Sequence, residues 1–476
     1  MSIDARFTRG STMRHVMVMT ATSAVGLTSL FLVDVANLFY ISLLGQTELA
    51  AAIGFAGTIQ FFMISISIGL AIAATATVSK AVGAGKREEA RRLAASAITT
   101  LVSVLALAAL GVWFMRDAAL RLLGAEGEAL AVASDFLAIV LPSVPLLGIA
   151  MVTSGLLRSV GDARRAMYVT LSGGLFGALL DPFFIFDWGF GLGVDGAAIV
   201  SVLARVLVAG VGLWFTLRLH DLIGRIDLTS TLGDARVLLA IAGPAVATQL
   251  STPFGNAYLT RVVADFGDEA VAGWAVVGRV TALAFGGIYA LSGAVGPILG
   301  QNLGAELFPR IRSAYRDALI FCTIYVLVVW AALYLANDTL IRIFGLTGAG
   351  QDVMWGFTHF GAGAFIFTGA LFVSNAAYNN LGRPTWSTAF NWTRDLLVIP
   401  ALAFLIAGSL GAAGVVAIQA AAGLLVGLLA AVTAWRFVSS IDPAKPDIRA
   451  FPLPSAMVNP FSSGRSAQVT ITEASQ

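Results

Sequence analysis

Residues Val82–Ala97 read VGAGKREEARRLAASA, and residues Leu303–Ala318 read LGAELFPRIRSAYRDA. Each is a Gly-Ala turn, a charged stretch and an Arg-rich helix start. Gly83 aligns with Gly304, and Arg91 with Arg312. In the same frame LRSVGDARR (Leu157–Arg165) answers NNLGRPTW (Asn379–Trp386). LLGQTELAA (Leu43–Ala51) likewise answers ADFGDEAVAG (Ala264–Gly273), and the offset is about 220 residues throughout. The matches fall in polar connections, where apolar composition cannot produce them. The chain therefore reads as two copies of one architecture.

The 476 residues are 58% hydrophobic and 12% charged. A soluble domain carries about twice that charge fraction, so the composition is that of a polytopic helical membrane protein. About 20 apolar residues span a bilayer as helix. Twelve such runs occur, near 16–44, 50–79, 93–114, 130–156, 166–187, 196–217, 237–263, 270–299, 314–336, 354–380, 386–408 and 412–436. Six spans per copy put both copies in the same orientation. Parallel repeats about an axis along the membrane normal are a transporter architecture, with the substrate site at their interface. The expected units are an N-terminus at 1–15, a first lobe at 16–218, a linker at 219–235, a second lobe at 236–438 and a poorly ordered tail at 439–476.

Charge placement orients the spans. Arg91, Arg92, Arg158, Arg164, Arg165, Arg310, Arg312 and Arg383 fall in connections on the side of the termini. Glu48, Asp117, Glu126, Asp268, Glu269 and Asp338 fall on the other. Basic connections stay in the cytoplasm, so both termini are expected there, in a plasma membrane of bacterial type. Arg6, Arg9 and Arg14 precede a first run too long for a signal peptide, which reads as a retained helix. The single cysteine, Cys322, excludes a disulfide framework and reads as a packing residue.

Within the fifth run, SGGLFGALLDPFFIF (Ser172–Phe186) carries one acid, Asp181. Intramembrane acids are costly and usually functional. Pro182 deprives the Ala178 carbonyl of its helical partner, and the helix can bend beside the acid. Gly173, Gly174 and Gly177 let a neighbouring helix approach. Asp34 lies about 15 Å deep in the first run, at 1.5 Å per residue, and Asp181 and Ser201 lie at similar depth. Asn37 shares a face with Asp34 at i+3, and Arg205 shares one with Ser201 at i+4. A polar cluster of Asp34, Asn37, Asp181 and Ser201 is expected in the first lobe, with Arg205 at its edge. Two carboxylates close together in a low-dielectric site do not both ionise readily, which suits one of them to carry a proton. Arg205 either pairs with an acid or has a structural role.

The second copy has one embedded acid of note, Asp395, beside Arg394, and a neutral structural pair is the reading there. Phe61, Phe62 and Met63 form an aromatic–thioether cluster for a drug-like cation. Gln249, Asn256, Tyr258, Tyr289, Asn375 and Tyr378 are candidates for a substrate path; packing and helix–helix hydrogen bonds are the alternative for each. No phosphate loop, metal-ligand cluster or hydrolytic triad occurs, so no enzyme activity, metal, cofactor or nucleic-acid partner is expected.

The chain resembles the multidrug and toxic compound extrusion family from about Met13 to Val438. The resemblance rests on VDVANLFYISLLGQTELAA, VSKAVGAGKREEARR, GLLRSVGDARR, LLDPFFIF, GVDGAAIVS and GQNLGAE, in that order and spacing. It implies an all-α, V-shaped pair of pseudo-symmetric six-helix bundles. It also implies a monomeric antiporter in the lipid bilayer, exporting amphipathic, cationic organic compounds against inward H⁺ or Na⁺. A lipid-precursor flippase and an uncoupled channel or receptor are the alternatives. Asp34 and Asp181 match acids of the archaeal and DNA-damage-inducible-F-like branch. A family Asn stands where this chain has Gly177, and a family Thr where it has Ser201. The Glu of the sodium-coupled branch is Thr252 here, and residues 354–380 contain no acid. Sodium needs several oxygen ligands, so Gly177 in place of Asn favours H⁺ as the coupling ion.

Overall fold

The computed structural model describes residues 5–42 and 47–441, with side chains at 5–29, 40, 49, 52–405 and 411–441. Among them only helices and turns occur. α1 is Thr12–Ser42, α2 Thr47–Gly83 and α3 Arg87–Leu122. The fourth span joins α4 (Gly127–Val140) to α5 (Val144–Ser159) through a single tight turn holding Pro142. α6 is Ala163–Ile185, and α7 is Gly193–Trp214. α8 (Leu228–Ala264) begins inside the segment expected as linker, so residues 228–235 are helical. The eighth span is α9 (Asp268–Ala284) and α10 (Gly286–Gly304), bent by 46° at Phe285. α11 is Phe308–Leu335, and the short α12 is Asn337–Ile343. The tenth span joins α13 (Gly348–Gly356) to α14 (Ala362–Asn380) through a wide turn. α15 (Pro384–Trp392) runs through another wide turn into α16 (Ile399–Ser440). Gly411, at φ 63° and ψ −162°, breaks α16 into the end of span eleven and the whole of span twelve. The expected gap between 408 and 412 falls on that residue. The expected tail, 439–476, lies almost wholly outside the described residues.

The repeat is visible in backbone geometry. Left-handed glycines recur 221 residues apart: Gly124 with Gly345, Gly127 with Gly348, and Gly161 with Gly382. The α2–α3 and α10–α11 turns match bond for bond. Lys86 N–H donates to the Ala81 carbonyl at 3.0 Å, and Leu307 N–H donates to the Asn302 carbonyl at 2.9 Å. A chain reversal fixes such a turn locally, whatever apolar side chains surround it.

The lobes meet at the end that carries these basic turns. α1 packs on α6 of its own lobe and on α10 of the other; α8 packs on α15 and on α2. Accordingly Phe7, Val16 and Met19 belong to the second lobe's apolar core, while Leu238, Ile241 and Ala242 belong to the first's. α2 and α10 cross backbone to backbone. A side chain at Gly83 would meet the Gln301 carbonyl, and one at Gly304 the Lys80 carbonyl. Small residues permit this approach. Two carboxylates tie one lobe to the other. Asp234 of α8 accepts two hydrogen bonds from Arg92 of α3, at 2.6 and 2.7 Å, and one from the Ser96 hydroxyl at 2.8 Å. Asp317 of α11 accepts from the Thr12 hydroxyl of α1 at 2.5 Å and from Arg316 at 3.2 Å. In the repeat frame Ser96 corresponds to Asp317, and Thr12 falls one residue from the counterpart of Asp234. One crossing, of α3 on α8 and of α11 on α1, is thus made twice with acid and hydroxyl exchanged.

Candidate functional site

α6 starts at Asp162, whose carboxylate accepts the Arg165 backbone N–H at 3.1 Å and so caps the helix. Its face of small residues then packs inward: Gly173 lies against Val208 of α7, and Gly177 is buried one turn before Asp181. Pro182 stands within the helix, which ends three residues later at Ile185. Asp181 is 2% exposed, and its Oδ2 has no hydrogen-bond partner among the described residues. It makes no ion pair there either. Unsatisfied buried carboxylate oxygens are rare and expensive. Near the C-terminal ends of both helices, Tyr40 of α1 meets Phe186 edge-on at 6.1 Å, so α1 and α6 are adjacent at this level.

Asp34 and Asn37 fall on α1, but their side chains lie outside the described residues. Ser201 is partly buried on α7. Arg205 does not reach an acid among the described residues. Its guanidinium donates to Gln60 Oε1 at 2.8 Å, the Ser143 hydroxyl at 2.9 Å and the Val140 carbonyl at 3.0 Å. The turn after α4 explains this. Residues there leave the α-helical ladder, and a cation at a helix C-terminus satisfies the carbonyl left over. Gln60 and Ser143 were missed in the sequence, because their tie to Arg205 crosses three helices.

In the second lobe Arg394 and Asp395 form a buried two-pronged pair, at 2.7 and 3.0 Å. Neighbours in an α-helix point about 100° apart and do not face each other. Here the wide turn Thr393–Val398 brings them together. Gly255 of α8 lies directly against the Asp395 carboxylate. The structural-pair reading of Asp395 therefore matches its geometry.

The candidate path residues divide. Phe61, Phe62, Asn256, Tyr258 and Tyr289 are exposed, and Gln249 is partly buried. Met63, Asn375 and Tyr378 are buried against neighbouring helices, the packing alternative for each. Met63 packs in the first lobe's core. Asn375 accepts from Asn391 at 3.1 Å. Tyr378 is 0% exposed, and its hydroxyl meets Thr433 at 2.7 Å and the Ala430 carbonyl at 3.1 Å. Buried polar side chains between helices take such partners first. The described residues hold no cluster of metal-ligating side chains.

Two repeated six-helix lobes meeting at one end, the first holding a buried acid, Asp181, with no cationic partner among the described residues, have the architecture of a membrane transporter. The MatE family profile matches residues 21–183 and again 244–404, once per lobe, and the chain belongs to that family of multidrug and toxic compound extrusion transporters. It is a transporter and not an enzyme. It is 27% identical to the FAD transporter of Shewanella oneidensis over 82% of this chain and 87% of that protein. It is 28% identical to the probable multidrug resistance protein NorM of Thermotoga maritima, over 60% of this chain and 61% of the relative. Among solved structures, a transporter from Pyrococcus furiosus, described as having a binding pocket of reverse polarity, superposes with TM-score 0.85. That match covers 92% of this chain and 98% of that one at 21% identity. The fold is the twelve-helix, two-bundle architecture of these transporters.

Proposed function

We propose that the chain is a secondary active exporter that couples efflux of amphipathic organic compounds to inward flow of H⁺ by alternating access of its two lobes. Asp181 carries the reading. It is a buried carboxylate with an unsatisfied oxygen and no cationic partner among the described residues, on a proline-containing helix beside α1. Binding a proton removes the cost of that charge, and the difference between the two states biases how α6 packs on α1. Asp34 is the second carboxylate of the site. Gly177 supplies no side-chain ligand for a metal cation, which supports H⁺ over Na⁺. Both termini lie in the cytoplasm; labelling of a cysteine at Glu126 from outside, and at Glu88 only from within, tests this. The decisive experiment is ethidium efflux from vesicles under imposed gradients. Efflux is expected to follow a pH gradient without Na⁺. Efflux that follows only a Na⁺ gradient at constant pH overturns the proton assignment.

Arg205 favours a second reading of the substrate. Its guanidinium faces only neutral acceptors among the described residues, which leaves positive charge in the first lobe. An anionic aromatic compound such as a flavin nucleotide would complement it, in keeping with the Shewanella relative. FAD efflux from the same vesicles, lost in Arg205→Gln while ethidium efflux remains, is the result this reading expects.

A further inference from the structure

The segment before α1 is not a free end. Arg6–Thr8 form one helical turn, and Phe7 is 2% exposed. The Phe7 ring sits in the second lobe's core, in a cluster that also contains Ala163 of the first lobe. Its backbone is used as fully as its ring. Phe7 N–H donates to Gln301 Oε1 at 2.9 Å, and the Phe7 carbonyl accepts from Arg310 at 2.8 Å and from Asn302 at 3.3 Å. Arg310 also donates to the Gly10 carbonyl at 2.9 Å and the Arg9 carbonyl at 3.2 Å. One long cation thus holds three carbonyls of this irregular backbone against α10 and α11. On the other side, Gln301 Nε2 donates to the Ser159 carbonyl at the end of α5, at 2.6 Å. The Arg6 side chain lies over Gly161. Gln301 and Asn302 are fully buried polar residues beside the Gly83–Gly304 crossing.

We propose that residues 6–10 are a staple across the two lobes, which must let go before the basic ends separate. The physical reason is satisfaction of buried polar groups. In the closed arrangement Gln301 bridges Phe7 and Ser159, and both of these bonds are made away from water. Parting the lobes breaks the Gln301–Ser159 bond and pulls Arg6 from Gly161. The segment then either stays on α10 and α11 with a half-satisfied Gln301, or leaves with Phe7 exposed. Either outcome costs free energy, so the staple sets how much of the population is open at this end. No counterpart precedes α8 in the same form. There the linker docks instead on α3, through Asp221 with Arg87 at 2.8 Å and Arg91 at 3.0 Å. The inference relies on alternating access of the lobes but not on substrate or coupling ion.

The test is a pair of spin labels at Glu88→Cys and Glu306→Cys in a Cys322→Ala background, reconstituted in lipid nanodiscs without substrate. The parent is expected to show one dominant short distance. Arg310→Gln is expected to raise a longer-distance population about fivefold, the change that losing one net hydrogen bond produces, and Phe7→Ala, which keeps its backbone bonds but loses the buried ring, to raise it at least as much. Phe7→Leu, which keeps an apolar anchor, is expected to restore the short distance. If Phe7→Ala does not fold, Arg310→Gln carries the test against Phe7→Leu. Lower thermal stability with unchanged distances in Arg310→Gln overturns the staple, because it marks a merely structural contact. Failure of ethidium and FAD efflux in the parent would count against the exporter reading and leave the distance result standing.

Discussion

Gly85 and Glu306 occupy the same backbone position in the two copies of the repeat, and both are left-handed, at φ 71° and φ 57°. Gly85 takes this conformation without strain, whereas a residue with a Cβ pays about 1–2 kcal/mol for it. The turn holds it through its N–H, which donates to the Leu303 carbonyl at 3.1 Å, while its exposed side chain makes no hydrogen bond among the described residues. Glu306→Gly is therefore expected to stabilise the protein by about 1 kcal/mol after the entropy cost of glycine is set against the strain. A rise in thermal midpoint relative to the parent checks it; a fall would show that the charge matters more than the backbone.

The exchanged acid–hydroxyl crossings separate two otherwise similar sites. Ser96→Ala leaves Asp234 with both bonds from Arg92, while Thr12→Val leaves Asp317 with one bond from the exposed Arg316. Thr12→Val is expected to cost about 1–2 kcal/mol and Ser96→Ala less than about 1, since the penalty falls on the carboxylate left without partners. The two sites share no partner, so the double variant should be additive within about 0.5 kcal/mol. Denaturation midpoints of the four proteins decide it.

Asp162, between α5 and α6, supplies a pH-dependent contribution. Burial raises its carboxyl, but His220 at 2.9 Å, the Arg165 N–H and the Arg165 guanidinium outweigh this and hold it well below the usual carboxylate range. A folded value below the unfolded one, near 3.9, stabilises the fold fully above about pH 4, and the gain is lost as pH falls further. Asp162→Asn is expected to cost about 1–3 kcal/mol at pH 7. The difference from the parent should shrink below about pH 4. A gap that is constant between pH 7 and pH 3.5 would place the effect in packing rather than charge.

Asp181→Asn keeps the shape of the buried side chain and removes its ability to exchange a proton. Gradient-driven efflux is expected to fall at least about tenfold, which corresponds to ~1.4 kcal/mol. Gly177→Asn is expected to shift the pH dependence of efflux rather than abolish it. Transport by well-folded Asp181→Asn at the parental rate would remove this residue from the coupling site.

The fold was legible in the chain to the level of individual turns. Gly161 and Gly382, or Gly83 and Gly304, can be paired by eye because a reversal needs particular residues at particular places. The candidate site was less legible. Asp181 stands out as a lone acid in an apolar run, but Arg205 gave no sign of its partners, and for Met63, Asn375 and Tyr378 the sequence left path and packing both open. Each step along a helix turns a side chain by about 100°. Whether a polar group faces a cavity or a neighbour thus depends on a rotation that periodicity fixes only loosely in a nearly all-apolar span.

The chain by itself determined what is local: which stretches are apolar enough to cross a bilayer, where they turn, and that the second half repeats the first. Only the tertiary structure decided what joins residues far apart. It placed Phe7 against Gln301 and Arg310, and Thr12 against Asp317, and it exchanged the N-terminal ends of α1 and α8 between the lobes. Hydrophobic length acts on each segment separately. The partner of a buried polar group is chosen by how whole helices cross, after every segment is already in place.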